Sequence, residues 1–271
     1  MIAAARRLYL LGRVGLAGLA FISFGLGTVV IAWVVLPLVR WRMRRAPPME
    51  RAAACQRPVR HAFATLFGFM RLCGLLSFEP RRADARVPSA RFVIVANHPT
   101  FVDIAALSAT FGRMTCVAKT PVFRAPLVGA IVRACAYLDG GGDDVFAGAS
   151  VVVQALERLA ADMPVAVFPE GTRSPDGGRD LHPFKRGAFE IACRANVPVL
   201  PILIRCEPAA LGKGQPWYDI PSKTAVLTLT TLPAMYPDQF GGDAARMASA
   251  SEAMFRRELK TRAGERRIEN E

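Results

Sequence analysis

A histidine and an aspartate at a predicted strand end are the first side chains whose spacing suggests chemistry. The stretch Asn97–Asp103 directly follows an apolar run, residues 92–96, that is typical of a buried strand. A histidine in such a turn faces a cleft, and the Asp103 carboxylate can fold back onto Nδ1–H of His98. Nε2 is then left as a general base, and the carboxylate stabilises the imidazolium that forms. The same residues also fit a capping box, with Thr100 as N-cap and Asp103 at the third helical position.

A second polar motif follows another strand-like run, residues 165–168. The stretch Phe168–Ser174 contains a glycine, two hydroxyls and Arg173 in a short loop. Backbone N–H groups and a guanidinium in such a loop can bind a phosphate, although a polar turn with an exposed arginine fits the pattern too. Two further cations, Lys185 and Arg186, stand just before a predicted helix, whose N-terminus also favours anions.

Other chemistries find little support in the sequence. His61 and His182 have no carboxylate at a suggestive spacing, so we interpret them as an interfacial and a loop residue. Motifs for a serine nucleophile or a nucleotide-binding glycine loop are absent. The cysteines form no C-x-x-C pair and have no histidine at zinc spacing, so we expect buried thiols and no metal site. They are Cys55, Cys73, Cys116, Cys135, Cys193 and Cys206.

From residue 91 onwards, short β-branched runs alternate with longer segments of helical periodicity. This alternation predicts an α/β domain with a largely parallel sheet flanked by helices. Ligands bind such sheets at the carboxyl ends of the strands, where both motifs lie. The predicted strands are 92–96, 115–118, 134–138, 165–168, 199–205 and 225–231, and the predicted helices are 103–111, 124–133, 145–161, 187–195 and 243–262.

The positive charge is concentrated near the N-terminus. The 271 residues carry a formal net charge of +13, and 52% of them are apolar, which excludes a disordered tail protein. Residues 40–91 contain twelve arginines against three acidic residues, whereas residues 92–240 contain thirteen charges of each sign. Arginines beside an apolar segment attract anionic lipid headgroups, and no nucleic-acid-binding signature accompanies them. We therefore expect membrane lipids as partners and no nucleic acid.

Residues 14–39 form an apolar segment without a charged side chain. As a helix of about 1.5 Å per residue, this segment is longer than the ~30 Å hydrocarbon core of a bilayer. A secretory signal would end in a small-residue cleavage site, but arginines follow here. We expect an uncleaved membrane helix with the following domain on the cytoplasmic side. A hairpin within one leaflet stays open as an alternative, because Gly25, Gly27 and Pro37 could bend the helix.

A second apolar stretch, residues 58–78, is interrupted by Arg60, His61 and Arg71, which disfavour a second span. Its pattern predicts an amphipathic helix that lies at the membrane interface. An ordinary helix that packs on the core is the equal alternative.

The two strand-end motifs resemble those of a known family, the glycerolipid acyltransferases that include the 1-acylglycerol-3-phosphate acyltransferases. Asn97, His98 and Asp103 are similar to the family's first signature block, and Phe168–Ser174 is similar to its third. The similarity continues in residues 185–188 and 197–202, and it covers roughly residues 90–206. Two blocks in the right order and at the right separation make this resemblance specific.

The resemblance implies an α/β domain that sits on the membrane behind apolar N-terminal helices. It implies that His98 is the general base and that Asp103 orients it. A lipid hydroxyl then attacks the thioester of acyl-CoA or acyl-carrier protein without a covalent enzyme intermediate, and no bound cofactor or metal is expected. By the same resemblance, the acceptor headgroup is held by Glu170, Gly171, Thr172 and Arg173, with Lys185 and Arg186 as further cations.

Two positions depart from the family pattern. Thr100 stands where the family usually has serine, which keeps the hydroxyl. Gly140 stands where the family usually has an arginine that helps to bind phosphate. Three explanations are open: Arg133 fills the gap in space, the acceptor headgroup carries less negative charge, or Gly140 is needed for a turn with positive φ.

The resemblance favours synthesis of phosphatidate from 1-acylglycerol-3-phosphate. The alternatives are the same reaction on a lyso-ornithine lipid or a specialised polyene lipid, or a membrane lipid-binding protein without turnover. The expected location is the inner, cytoplasmic membrane, with the catalytic domain facing the cytoplasm. The expected organisation is a membrane anchor over residues 1–45, a basic interfacial segment over 46–90, an acyltransferase domain over 91–240 and a C-terminal helix over 241–271.

Overall fold

The computed structural model describes residues 2–81, 91–141 and 145–269. Within them, a seven-stranded sheet is flanked by helices on both faces. The strands are β1 (Leu76–Arg81), β2 (Val93–Ala96), β3 (Thr115–Ala118), β4 (Leu138–Asp139), β5 (Val165–Val167), β6 (Val199–Glu207) and β7 (Ala225–Thr231). The helices are α1 (Ile2–Val30), α2 (Leu36–Arg42), α3 (Pro48–Leu72), α4 (Asp103–Phe111), α5 (Thr120–Arg124), α6 (Pro126–Ala134), α7 (Val145–Ala160), α8 (Gly187–Ala195) and α9 (Ala244–Glu269).

The sheet is largely parallel, as the sequence predicts. Its strand order is β1-β7-β6-β2-β5-β3-β4, and β2 lies parallel to both β5 and β6. Among the described strands, β6 and β7 form the one antiparallel pair. Because β2, β5 and β6 are parallel neighbours, their carboxyl ends meet at one edge of the sheet. The loops that carry the two sequence motifs therefore start side by side.

Two apolar layers cover the sheet, one on each face. Successive residues of a strand point to opposite faces, so Ile94 and Ala96 pack in one layer while Val93 and Val95 pack in the other. Helices α1, α3 and α4 contribute to the first layer, and α7, α8 and α9 contribute to the second. Burial on both faces explains why the central strands are apolar at every position and not alternating.

The sequence prediction missed β1 because it merged this strand with the preceding helix. Helix α3 ends at Leu72, and Gly74 has φ +65°. The Leu75 N–H donates to the Met70 carbonyl and the Gly74 N–H to the Arg71 carbonyl, which is a Schellman motif. The glycine therefore ends the helix, and β1 begins at Leu76. The predicted domain boundary between residues 90 and 91 falls at the edge of residues 82–90, which lie outside the described residues.

The region of residues 120–139 also differs from its prediction. The predicted helix 124–133 corresponds to α6, which begins two residues later, because Ala125 precedes Pro126 and adopts an extended conformation. Residue 124 ends a separate short helix, α5, which the sequence prediction missed. The predicted strand 134–138 is only the two-residue β4, since α6 continues to Ala134 and Ala136 has a positive φ.

Helix α3 packs one face on the core, which confirms the core-packing alternative for residues 58–72. Its buried side chains recur on one side of the helix, and the aromatic ring of Phe67 stacks on that of Phe78 at 4.8 Å between centroids. The buried residues are Ala52, Cys55, Gln56, Val59, Phe67 and Met70.

The six cysteines are free, and four of them are buried. Burial raises the pKa of the Cys116, Cys135 and Cys206 thiols to about 12. These thiols are therefore neutral at physiological pH and act as small apolar side chains, in agreement with the sequence analysis.

The N-terminal apolar segment is helical without a break from Ile2 to Arg42. It consists of α1, a π-helical turn at Ile31–Val35, and α2. The π turn lies directly before Pro37, whose ring and missing N–H disturb the regular hydrogen-bond ladder. The chain does not fold into a hairpin at the glycines or at Pro37. The stretch Arg7–Arg42 is long and apolar enough to cross a membrane.

This N-terminal helix contacts the α/β body along its length. Arg13 is buried and donates to the carbonyls of Gly74, Pro221 and Lys223. Leu36, which is 2% exposed, packs in a cluster with buried residues of α3 and with Cys135. These two contacts lie 23 residues apart along the helix, or about 35 Å. The opposite side of the helix is exposed and apolar, with Leu8, Ile22, Leu26, Trp33, Leu38 and Trp41.

Candidate active site

The two sequence motifs meet at the carboxyl ends of β2 and β5. The His98 N–H donates to Glu170 Oε1 at 3.2 Å and to Ser174 Oγ at 3.0 Å. In return, the Ser174 N–H donates to the His98 carbonyl at 2.8 Å. Loops that are 70 residues apart in the sequence are thus joined by their backbones, as the strand-end positions predicted.

His98 and Asp103 form the predicted dyad. His98 Nδ1 lies 2.7 Å from Asp103 Oδ2, so Nδ1–H donates to the carboxylate and Nε2 is the ring nitrogen left to act as a base. The His98 side chain is 24% exposed, and its ring stacks on Phe168 at 4.2 Å between centroids. The imidazole is thereby fixed in orientation while one nitrogen stays accessible, which is the geometry that a general base requires.

Asp103 is fully buried, and its carboxylate is satisfied by three hydrogen bonds. Besides the His98 ring, the Thr100 N–H donates to Oδ2 at 2.7 Å and the Thr100 hydroxyl donates to Oδ1 at 2.5 Å. Burial raises the pKa of the Asp103 carboxyl, and the bonds from His98 and Thr100 oppose that shift. Threonine at residue 100 therefore keeps the hydroxyl that serine would supply, and this hydroxyl donates to the Asp103 carboxylate of the dyad.

The capping-box interpretation needs a correction. Helix α4 begins at Asp103, and its N-cap is Val102, which makes no side-chain cap. The bond from the Thr100 N–H to Asp103 is retained, but Asp103 is the first helical residue and not the third. Its carboxylate accepts hydrogen bonds from Thr100 of the loop and from the His98 ring, in place of the helix N-terminus.

Asn97 anchors the first motif to the neighbouring strand. Its side chain is fully buried, donates to the Ile204 carbonyl at 2.9 Å, and accepts from the Ile204 N–H at 2.7 Å. The amide therefore replaces the strand pairing that β2 would otherwise lose where it turns into the loop. This holds the His98 loop against β6 independently of the second motif.

Glu170 accepts hydrogen bonds from several parts of the chain. It is 4% exposed, and its Oε1 accepts from His98 N–H and from the Ser174 hydroxyl, while Oε2 accepts from the His182 N–H at 2.8 Å. With both oxygens occupied by protein donors, the carboxylate joins three loops. It therefore links the loops that surround the site.

Cationic side chains lie around the other residues of the Phe168–Ser174 loop. A Cβ at Gly171 would lie 3.3 Å from Cε and Nζ of Lys185, so the Lys185 side chain passes directly over the loop. Thr172 Oγ1 accepts from the exposed Lys213 at 3.3 Å, and Arg173 donates to the Gly212 carbonyl at 3.0 Å. The structure therefore brings predicted Lys185 and Arg173 together with a cation that the sequence analysis missed.

Lys213 escaped the sequence analysis because it belongs to no motif. It follows β6, the strand next to β2, and the only signal was its place in a glycine-flanked turn after a strand. Arg186, by contrast, is exposed at the start of α8, where its carbonyl accepts the N–H groups of Phe189 and Glu190. No contact of its side chain joins it to the loop among the described residues.

Comparison with known proteins agrees with this geometry. The family model described as Acyltransferase matches residues 80–205. A 1-acyl-sn-glycerol-3-phosphate acyltransferase of Chlamydomonas reinhardtii is 31% identical over 170 residues, which cover 63% of this chain and 51% of the relative. The human 1-acyl-sn-glycerol-3-phosphate acyltransferase alpha is 35% identical over 130 residues, which cover 46% of this chain and 44% of the relative.

Residues 80–205 are thus similar to the acyltransferase family, and the relatives named above are 1-acyl-sn-glycerol-3-phosphate acyltransferases. The chain spans about half the length, or less, of the curated relatives that it matches. Its fold is that of the crystal structure of the 1-acyl-sn-glycerophosphate acyltransferase PlsC from Thermotoga maritima, with a TM-score of 0.69. That likeness covers 96% of this chain and 97% of the other at 21% sequence identity.

The acyltransferase domain departs from its family at Gly140, and the structure tests the three explanations. Gly141 has φ +65°, whereas Gly140 does not have a positive φ, so backbone conformation does not explain the glycine at residue 140. A Cβ there would lie 3.2 Å from the Ala118 carbonyl oxygen and from Val117 Cγ1, so close packing on β3 disfavours a larger side chain. Arg133 is engaged elsewhere, since its guanidinium donates to the Phe123 carbonyl. Lys119 directly follows β3 at the same edge of the sheet and is exposed. Lys119 is therefore better placed than Arg133 to supply the positive charge that is missing at residue 140.

Changing Glu170 to glutamine tests the joining role of this carboxylate. An amide nitrogen would face an N–H or hydroxyl donor at one of the two oxygen positions, because all three partners donate. We expect the free energy of unfolding to fall by about 2 kcal/mol, the usual cost of an unsatisfied buried group. Thermal denaturation of detergent-solubilised protein measures this, with Glu157→Gln as the control, since the Glu157 side chain is 63% exposed. Equal stability of the two variants would contradict the role.

Proposed function

We propose that this protein is a membrane-bound O-acyltransferase. It moves a fatty acyl group from the thioester of acyl-CoA or acyl-carrier protein to the hydroxyl of a lyso-lipid, for which 1-acylglycerol-3-phosphate is the favoured acceptor. The observation that carries the proposal is the His98–Asp103 dyad, with Nε2 open to the cleft, beside a loop surrounded by cations. The domain's family and the names of its relatives support the same reaction.

In the proposed reaction, His98 Nε2 accepts the proton of the acceptor hydroxyl as its oxygen attacks the thioester carbonyl. The imidazolium that forms is stabilised by Asp103, whose orientation Thr100 maintains. Collapse of the tetrahedral intermediate breaks the carbon–sulfur bond, and the thiolate takes the proton from Nε2. The ester and the free thiol leave, and the dyad returns to its initial state without a covalent enzyme intermediate.

The cations around the Gly171 loop supply the binding site for an acceptor phosphate. A single exposed ion pair contributes little against water, so several cations must act together. Lys185 and Lys213 meet at the loop, and Lys119 lies at the end of β3 along the same edge. Arg173 holds the loop to the Gly212 carbonyl, which gives it a shaping role besides its charge.

A second candidate function keeps the reaction and changes the acceptor. Gly140 removes a family cation, which favours a headgroup with less negative charge, as in a lyso-ornithine lipid. The three lysines near the loop outweigh this loss, so we favour the phosphate acceptor. No bound cofactor or metal takes part in the proposed step, in which the acyl donor is a co-substrate.

We also propose that the outer apolar face of α1 and α2 binds the cytoplasmic membrane, with the α/β domain on the cytoplasmic side. The helix contacts the body at both Arg13 and Leu36, about 35 Å apart, which exceeds the ~30 Å hydrocarbon core. A helix that crossed the bilayer would draw the polar body into hydrocarbon. These contacts therefore support a helix that lies within one leaflet, and the arginines at residues 40–45 then face anionic headgroups.

The first prediction concerns the base. His98→Ala should lower kcat by about 10²–10⁴, the usual contribution of a general base, whereas Asp103→Asn should cost less if its carboxylate orients the ring. Acyl transfer by purified full-length protein in mixed micelles is the measurement. His61→Ala serves as the matched control, since this exposed side chain bonds only to the Arg57 carbonyl of its own helix among the described contacts. Full activity of folded His98→Ala would overturn the mechanism.

The second prediction concerns the acceptor. Given equal amounts of lysophosphatidate, a lyso-ornithine lipid and a monoacylglycerol, the wild-type protein should acylate lysophosphatidate fastest. Lys185→Ala should raise the KM for lysophosphatidate about tenfold, as expected for loss of one charge-assisted hydrogen bond. Lys260→Ala, an exposed lysine on α9, is the control for charge. Preference for the lyso-ornithine lipid, unaffected by Lys185→Ala, would establish the second candidate instead.

The third prediction concerns the membrane. Epitopes placed at both termini should be cleaved by protease from the same side of sealed vesicles, because a helix within one leaflet leaves both ends on one side. Detergent-opened vesicles provide the control for epitope integrity. Protection of the N-terminal epitope alone would show that the helix crosses the bilayer.

A further inference from the structure

The segment of residues 180–186, which follows the loop, is held from outside by the C-terminal helix α9. Arg256 Nη1 donates to Asp180 Oδ1 at 2.9 Å, and its Nη2 donates to the Leu181 carbonyl at 2.9 Å. Its Nε donates to Glu252 Oε1 at 3.0 Å, and Glu252 Oε2 accepts from the Phe184 N–H at 2.9 Å. The two side chains therefore bind the segment at three residues, Asp180, Leu181 and Phe184.

The aromatic rings of Phe184 and Phe255 add a packing contact between the same two elements. Their centroids lie 5.2 Å apart at an interplanar angle of 74°, and Phe255 is fully buried. Phe255 lies between Glu252 and Arg256 on α9, so the segment is held to α9 by an apolar contact and by a polar network. Such combined contacts restrict both the position and the orientation of a short irregular segment.

The inner side of the same segment reaches the active site. The His182 N–H donates to Glu170 Oε2 at 2.8 Å, and the Lys185 N–H donates to the Pro169 carbonyl at 2.9 Å. From that point the Lys185 side chain passes over Gly171. Movement of the segment away from α9 would thus displace the Lys185 ammonium and one of the donors to Glu170.

We propose that Glu252 and Arg256 of α9 are positioning residues, which act through residues 180–185 to place Lys185 for the acceptor headgroup. This inference rests on the function proposed above. Helix α9 lies outside residues 80–205, the segment that matches the family model. The chain therefore completes its acceptor site with an element that its family resemblance does not assign.

The dyad has anchors of its own, so loss of these contacts should affect binding more than chemistry. His98 is held by Asp103 and by Ser174, and Asn97 ties its loop to Ile204 of β6. These bonds do not pass through α9. Displacement of Lys185 should therefore raise the KM for the acceptor while kcat changes little, a pattern that separates positioning from a general loss of structure.

The test compares Arg256→Ala with Arg257→Ala in the full-length protein. Both variants remove one positive charge from neighbouring positions of α9, but Arg257 is exposed, and no described hydrogen bond joins its side chain to the segment. For Arg256→Ala, we expect the KM for lysophosphatidate to rise about five- to tenfold, the scale of one charge-assisted hydrogen bond. The KM for the acyl donor and kcat should stay within about twofold of wild type. Arg257→Ala should match wild type in all three constants.

A second pair of variants guards against a general folding defect. Glu252→Gln keeps an oxygen that can accept from the Phe184 N–H, whereas Glu252→Ala removes it. We expect Glu252→Gln to retain a KM closer to wild type than Glu252→Ala. Hydrogen–deuterium exchange should show faster exchange in residues 181–186 for Arg256→Ala and Glu252→Ala, with unchanged exchange in the sheet.

The outcomes distinguish this inference from the proposed function. Wild-type protein without turnover of any lyso-lipid would overturn the proposed function, and the positioning role with it. Intact wild-type turnover, with an acceptor KM unchanged in Arg256→Ala and Glu252→Ala, would overturn the positioning role alone. A parallel rise of both KM values together with a loss of kcat would indicate a general structural role and would also overturn it.

Discussion

The active site depends on one buried carboxylate, that of Glu170. A buried charge is costly unless it is hydrogen-bonded, and Glu170 meets this requirement with donors from three different stretches of chain. These are the His98 N–H after β2, the Ser174 hydroxyl after β5, and the His182 N–H ahead of α8. The carboxylate therefore links the loop that carries His98 to the cation-rich loop.

The two faces of the sheet support that site in different ways. On one face, α1 and α2 present an apolar outer surface that is suited to lipid, and Arg13 fastens them to loops of the body. On the other face, α9 holds the segment that carries Lys185, through Arg256 and Glu252. The dyad lies between them at the sheet edge.

Local patterns in the sequence were sufficient for most of the secondary structure and for the dyad. The apolar runs at residues 92–96 and 199–205 predict strands, and the structure places β2 and β6 there in the centre of the sheet, buried on both faces. The five-residue separation of His98 and Asp103 was also sufficient, since a single loop at a strand end brings the two side chains together. Such features depend on residues close in the chain, whose mutual distances are limited by backbone geometry.

Only the tertiary structure decided which distant residues complete the site. The sequence motif contained Glu170 but did not show that its carboxylate would accept hydrogen bonds from three stretches of the chain. Lys213 and Arg256 belong to no motif, and they reach the site through the strand order and the packing of α9. The physical reason is the same for Glu170, Lys213 and Arg256. Contacts between residues far apart in the chain depend on how the sheet and helices pack, and the local periodicity of the sequence does not predict that packing.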